Sequence, residues 1–246
     1  MPTFFIQKED IDGQSLHMRE NTHHILRVLR YKPGNELTLS DGEGMQYRCR
    51  IDAVGGAGDE ILGTVLSAGP SEGEPETRIT LFQGLPKSDK MEMILEKGVE
   101  LGISEFVPVR FARCVSRPDD RKSAQKTDRW NKIAASAAEQ CGRGILPHVT
   151  DPVTVREAAG KIGSFDLALV FYEEKRHNSL REILRGADSP RSVAVFIGPE
   201  GGLEQDEVDL LASHGAQIAG LGPRILRTET AGPAASALIL YELGGM

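Results

Sequence analysis

Hydrophobic and polar positions change period along the chain, and the change divides it in two. In the first part, short runs rich in β-formers at residues 37–40, 46–52 and 61–66 are separated by Asp41-Gly42-Glu43-Gly44 and by Val54-Gly55-Gly56-Ala57-Gly58. Short strands punctuated by turn residues at this spacing predict a small barrel or sandwich. One helical segment interrupts them, because Thr22 can cap a turn whose apolar side is Ile25, Leu26, Val28 and Leu29. His24, Arg27 and Arg30 then share another face, a candidate grip on a phosphate backbone. The stretch SAGPSEGEPETR, residues 67–78, has little to bury and reads as a linker, with the domain boundary between residues 72 and 73.

Beyond the linker, strand and helix alternate. Residues 78–85 read as a strand, after which Ser88 caps a helix with Met91, Ile94, Leu95, Gly98 and Leu101 on its apolar side and Gly102 at its end. Residues 106–109 form a second strand, and a helix over 123–140 turns Trp130, Ile133, Ala134, Ala137 and Cys141 inward before Gly142 stops it. Three more apolar strands, 166–171, 192–197 and 217–221, alternate with helices at 153–162, 179–184 and 204–214. Residues 228–243 close the chain as a helix, in which Pro233 fits only within the first turn. Continuous apolar runs bounded by helices predict strands covered on both faces, hence an α/β architecture with a mostly parallel sheet.

Composition narrows the setting. The 246 residues are 39% hydrophobic and 26% charged, a globular balance and enough chain for one large domain or two smaller ones. A net charge of −7 argues against a protein that coats nucleic acid by bulk charge, so any such contact needs a local patch. Residues 110–132 supply one, with eight Lys/Arg against three Asp, although a solvated surface has the same composition. Cys49, Cys114 and Cys141 lie far apart with no CxxC pair, which suggests neither a disulfide framework nor a zinc site. The start lacks a basic segment followed by an apolar one, and the apolar runs are too short to span a bilayer, so a cytoplasmic protein without membrane contact is expected.

Ligands of open α/β sheets bind beyond the carboxyl ends of the strands, which singles out three segments. They are Phe171-Tyr172-Glu173-Glu174, Ile197-Gly198-Pro199-Glu200-Gly201-Gly202-Leu203 and Leu221-Gly222-Pro223-Arg224-Ile225-Leu226-Arg227-Thr228-Glu229-Thr230. The second matches neither GxGxxG nor GxxxxGK, and it carries Glu200 where a phosphate cradle would gain from Lys. Its glycines admit close backbone approach, and a carboxylate with free carbonyls suits hydroxyls, an exocyclic amine or a positive centre. S-adenosylmethionine offers all three and no phosphate. GPEGG alone is equally a tight turn, but the following Gly-Pro loop adds two arginines and a glutamate that a turn does not need. Motifs for zinc, nicotinamide or a serine nucleophile do not occur.

IGPEGGL followed by LGPRILRTETA resembles the signature of the RsmE family, the SPOUT-class 16S ribosomal RNA uridine N3-methyltransferases. HHILRVLR, LPKSDKMEMILEKGVELGISEFVPV and RWNKIAASAAEQCGR resemble segments of that family in the same order, so the resemblance covers nearly the whole chain. It implies a PUA-like RNA-binding β-barrel over residues 1–72 and a SPOUT α/β domain with a deep trefoil knot over 73–246. It also implies an S-adenosylmethionine site touched by Val170, Phe171 and Tyr172 after one strand, and by Ile197, Gly198, Pro199, Glu200, Gly201 and Gly202 after another. Leu221, Gly222, Pro223, Ile225, Leu226, Arg227 and Thr228 complete that site. Arg227, Arg224 and Glu200 are the candidate catalytic groups, because a guanidinium stays protonated and can stabilise negative charge on a uracil ring.

The remaining implications concern partners. The RNA, 16S ribosomal RNA or the small ribosomal subunit, would be held by His24, Arg27, Arg30, Arg113, Arg117 and Lys122. The family works as a homodimer and without a metal. Gly232-Pro233 departs from the family's pattern, which bears on the start of the closing helix and not on the pocket. Alternatives are a tRNA ribose 2′-O-methyltransferase and a noncatalytic ribosome-assembly protein that binds RNA.

Overall fold

The computed structural model describes residues 2–56, 60–115, 120–175 and 178–245, without the side chains of residues 120–122. Two compact units emerge, one of Met1–Glu74 with Ser136–Leu146 and one of Pro75–Ala135 with Pro147–Met246.

The first unit is built on six strands: β1 (Thr3–Phe5), β2 (Ile11–Asp12), β3 (Ser15–Met18), β4 (Glu36–Ser40), β5 (Met45–Gly55) and β6 (Glu60–Pro70). They form one sheet in the order β1-β4-β5-β6-β3-β2, antiparallel except for the β1–β4 pair. Alternate residues point inward, so Leu37 and Leu39 of β4 meet Cys49 and Ile51 of β5, Ile61 of β6 and Leu16 and Met18 of β3 in a buried core. Strand β6 runs through to Pro70, which shortens the expected linker. The helical segment is a π-helix, His24–Val28, that buries Ile25 and leaves Val28 exposed. Thr22 does not cap it; its hydroxyl donates back to the Arg19 carbonyl, and His23 at the N-cap position makes no side-chain cap bond. The i→i+5 winding also changes the phase between His24, Arg27 and Arg30 from that of an α-helical face. All three are exposed, and Arg30 takes a left-handed φ of 61°.

In the second unit the order is β7 (Arg78–Gly84), α1 (Lys90–Glu100), β8 (Glu105–Arg110), α2 (Asp120–Cys141), β9 (His148–Val149), β10 (Val153–Thr154), α3 (Val155–Gly160), β11 (Leu167–Phe171), α4 (Leu180–Gly186), β12 (Ser192–Ile197), α5 (Gln205–Ser213), β13 (Gln217–Ala219) and α6 (Thr228–Glu242). The last turns of α2 count with the first unit. The sheet is parallel throughout, ordered β10-β8-β7-β12-β11-β13 with β9 also on β8. Both faces of its centre are covered, which is why β11 and most of β12 are uninterrupted apolar runs; Phe82 of β7 stacks on Phe196 of β12 with ring centroids 4.4 Å apart.

Four local expectations are corrected here. Ser88 takes a left-handed φ of 53°, so α1 starts from Asp89 and no side chain caps it. Residues 153–154 are a strand before α3 begins, with Thr154 and Glu157 forming its capping box. The buried face of α2 runs Trp130, Ala134, Ala138, each four residues on, which leaves Cys141 exposed. Pro233 is the sixth residue of α6, beyond its first turn, so the Glu229 carbonyl loses its N–H partner there. Packing compensates: Pro233 is buried, and α6 lies against α1, β12 and β7.

Candidate active site

Because β7, β11, β12 and β13 are parallel, their carboxyl ends open on one edge of the sheet, and the segments leaving them meet there. After β12 the chain makes a tight turn, closed by the Gly202 N–H donating to the Pro199 carbonyl at 2.9 Å. Gly202 has φ 71°, a left-handed conformation that favours glycine, and a Cβ there would displace the Glu173 carboxylate, whose Oε1 would be 2.3 Å away. Gly84 ends β7 against the same loop; a Cβ there would fall 2.5 Å from the Pro199 nitrogen. After β13, Gly220 is held by its N–H donating to the Asn178 carbonyl at 3.0 Å, and the loop continues to Arg227 before α6 begins.

Two polar connections clasp these segments. Gln83 is fully buried, and its Nε2 donates to Thr228 Oγ at 2.8 Å while that hydroxyl donates to the Gly198 carbonyl at 2.7 Å. The end of β7, the first loop and the start of α6 are thereby joined in one directional chain of hydrogen bonds. Lys90, the first residue of α1, places Nζ 3.1 Å from Glu200 Oε1 and 3.2 Å from Glu229 Oε2. Glu200 Oε1 also accepts the Lys87 N–H at 3.0 Å. Both carboxylates raise the Lys90 pKa, Glu200 more than Glu229. Burial pushes the Glu200 carboxyl up, but the Lys87 N–H, its own N–H and the Lys90 ammonium together hold it below the usual value. Glu229 is held down by its own backbone N–H and then by Lys90, against the opposing effect of burial. All three groups are therefore ionised at neutral pH.

The segments enclose a cavity of about 380 Å³, within the roughly 300–1,000 Å³ typical of ligand sites. Phe171, Tyr172, Ile197, Gly198, Pro199, Glu200, Gly202, Leu221, Gly222, Arg224, Ile225, Leu226, Arg227 and Thr228 line it. Three expected residues do not. Val170 is wholly buried in β11 between its neighbouring strands, Pro223 is exposed on the loop, and Gly201 faces Arg113, whose Cβ would be 3.0 Å from a Cβ at that position. Lys90, Glu173, Gly220, Glu229 and Ala231 join the lining. Glu229 and Glu173 stood in the singled-out segments, whereas nothing local marks Lys90, which arrives from a helix more than a hundred residues earlier.

The lining suits S-adenosylmethionine by its chemistry. Ile197, Leu221, Ile225 and Leu226 offer apolar surface for a purine, the glycine loops offer backbone groups to its edges and to hydroxyls, and Glu173, Glu200 and Glu229 offer negative charge to a sulfonium or an amine. Among the described residues no group of three or more His, Cys, Asp or Glu side chains could hold a metal ion. Arg227 is 83% exposed at the cavity, and its ion pair to Glu229 Oε1 is long, 3.9 Å. Arg113, expected on an RNA surface, donates from Nη1 to the Gly201 carbonyl at 3.0 Å and lies 3.7 Å from Glu204, so it braces the first loop. Buried Glu207 fixes the same region by accepting the Ala112 N–H at 2.8 Å. Arg117 and the side chain of Lys122 lie outside the described residues.

Residues 73–240 match the RNA methyltransferase domain family and residues 19–56 match the RNA methyltransferase PUA domain. Over 245 residues the chain is 34% identical to the ribosomal RNA small subunit methyltransferase E of Bacillus subtilis (strain 168), covering 98% of this chain and 91% of that protein. It is similar to the crystal structure of the ribosomal RNA small subunit methyltransferase E of Neisseria gonorrhoeae bound to S-adenosyl methionine, with TM-score 0.87, 32% identity and coverage of 98% and 97% of the two chains. A putative methyltransferase of Legionella pneumophila with bound SAM gives TM-score 0.83 and 31% identity, covering 97% of this chain and 96% of that one.

Proposed function

Given that the chain belongs to the ribosomal RNA small subunit methyltransferase E family, we propose that it transfers a methyl group from S-adenosylmethionine to N3 of a uridine in 16S ribosomal RNA. The observation that carries this reading is the cavity at the strand ends, whose two glycine loops and three carboxylates suit that donor. When bound, S-adenosylmethionine supplies an electrophilic methyl on a sulfonium. The residues of this chain must do the rest. Uridine N3 is protonated at neutral pH, so its proton must pass to solvent before N3 can take the methyl, and the ring carries negative charge until it does. Arg227, exposed at the cavity and with Arg224 beside it in the loop, is positioned to stabilise that charge without acting as a base. Glu200 is too weak a base for N3, since its donors hold its pKa low; its contribution is negative charge and loop geometry.

The finer features extend the same reading. The PUA-like first unit offers exposed His24, Arg27 and Arg30 to the RNA, and Arg113, Arg117 and Lys122 are the contacts proposed for the second unit. The closing segment makes a deep trefoil knot, a proposal supported by the adjacency of the two loops at the strand ends and the return of α6 across β12 and β7. The protein works as a cytoplasmic homodimer, and no helix among the described residues is long and apolar enough to cross a membrane.

Arg227→Ala provides the test. Affinity for S-adenosylmethionine should stay nearly intact while single-turnover methylation falls by roughly 100-fold or more, as for loss of one oxyanion-type donor. Raising the pH should partly restore the rate as more uridine ionises unaided. Parallel loss of donor binding and rate would assign Arg227 to bracing Glu229. Mass analysis of the product nucleoside should place the methyl on the base; a ribose methyl would overturn the reading.

A further inference from the structure

We infer that Lys90 is a positioning residue for the methyl-donor site, a cationic clamp that ties Glu200 of the first loop to Glu229 of the closing helix and so sets the spacing of the cavity walls. The inference rests on the donor-site reading above and assigns a residue that neither glycine loop contains. The geometry is that of a bridge. One ammonium, 31% exposed, stands within 3.2 Å of a carboxylate oxygen on each side, and the three residues all line the cavity. The Lys87 N–H, three residues before Lys90, donates to the same oxygen of Glu200, so the segment entering α1 grips the first loop at two points.

Removal of the ammonium would leave two carboxylates facing each other. Like charges that close cannot both stay ionised without cost; either the loops part or one group takes up a proton. The other charged groups on the cavity are Glu173, Arg224 and Arg227, and the buried Cys114 thiol lies near Glu200. Arg227 also pairs with Glu229, but through a long contact of 3.9 Å from a side chain that is 83% exposed. Without Lys90 the site therefore acquires a pH dependence that the intact site lacks: repulsion is greatest when both carboxylates are ionised and falls as the pH drops and one is protonated.

Calorimetry with S-adenosylmethionine on the full chain at pH 5, 6.5 and 8 separates the outcomes. The wild type should bind with nearly constant affinity. Lys90→Met should bind about 10-fold more weakly at pH 8, in the range of coupling energies between contacting residues, and recover part of that loss at pH 5, nearer the carboxylate range. Lys90→Arg should stay close to wild type. Measured against Glu229→Gln alone, adding Lys90→Met should cost less affinity at pH 8 than Lys90→Met costs the wild type, because the repulsion is then absent; this cycle cancels any direct contribution of Glu229 to the donor and holds even if Lys90→Met lowers the melting temperature. Wild-type affinity in Lys90→Met, or a loss that is the same at every pH and not relieved by Glu229→Gln, would overturn the inference while leaving the donor site standing. Absence of binding by the wild type would instead overturn the donor-site reading, and this inference with it.

Discussion

Thr228 shows how one side chain can serve stability and site geometry together. Its hydroxyl accepts from buried Gln83 and donates to the Gly198 carbonyl, so Thr228→Val keeps the shape and removes both bonds. Leaving buried polar groups unpaired costs about 1–3 kcal/mol, which for a chain of this size lowers the melting temperature by roughly 2–12 °C. S-adenosylmethionine affinity should fall as well, because the freed carbonyl belongs to a cavity-lining loop, and Thr228→Ser should retain both properties. A stable Thr228→Val with unchanged affinity would reduce the hydrogen-bond chain to an incidental contact. Thr228 was legible in the motif RILRTETA, but Gln83 read only as part of a strand. A strand pattern gives the face of a residue, and the partner of a buried amide is set by whichever element lands on that face.

Helix α1 exhibits a conflict between local propensity and packing. Gly98 lies in its interior, where alanine would favour the helix by about 1 kcal/mol. A Cβ there would fall 2.7 Å from the ring of Phe106, which is fully buried in β8, and 2.9 Å from Ile103 Cδ1. Overpacking costs typically 1–3 kcal/mol, so Gly98→Ala should lower the urea midpoint of unfolding with an unchanged slope. A raised midpoint would mean that the ring gives way. The sequence placed Gly98 on the apolar face of α1 without indicating how near β8 approaches. Likewise, the periodicity of α2 gave a helix and its buried Trp130 and Ala134, but the inward face at its end goes to Ala138 instead of Cys141. Small residues on several faces leave the phase of a helix to its neighbours.

For the whole molecule, the proposed homodimer has a surface to use. Leu238 and Tyr241 of α6 lie three residues apart, 51% and 75% exposed, and line a second cavity with Leu180 and Leu184 of α4. Leu238→Glu with Tyr241→Glu should convert a sedimenting dimer to a monomer at micromolar concentration; a wild-type chain that sediments as a monomer would exclude the dimer. By itself the sequence determined the β-rich first part, the alternating α/β second part and the two Gly-Pro loops, because strand and helix periods and turn residues are local properties. The linker was overextended at its start because β6 uses Pro70 at a strand end, where a missing N–H is tolerated. Only the tertiary structure decided that Lys90 bridges Glu200 and Glu229, that Gln83 holds Thr228, and that Gly201 turns away from the cavity toward Arg113. Each of those joins segments far apart in the chain, and which distant groups meet depends on strand order and on the side from which a helix packs, neither of which leaves a period in the sequence.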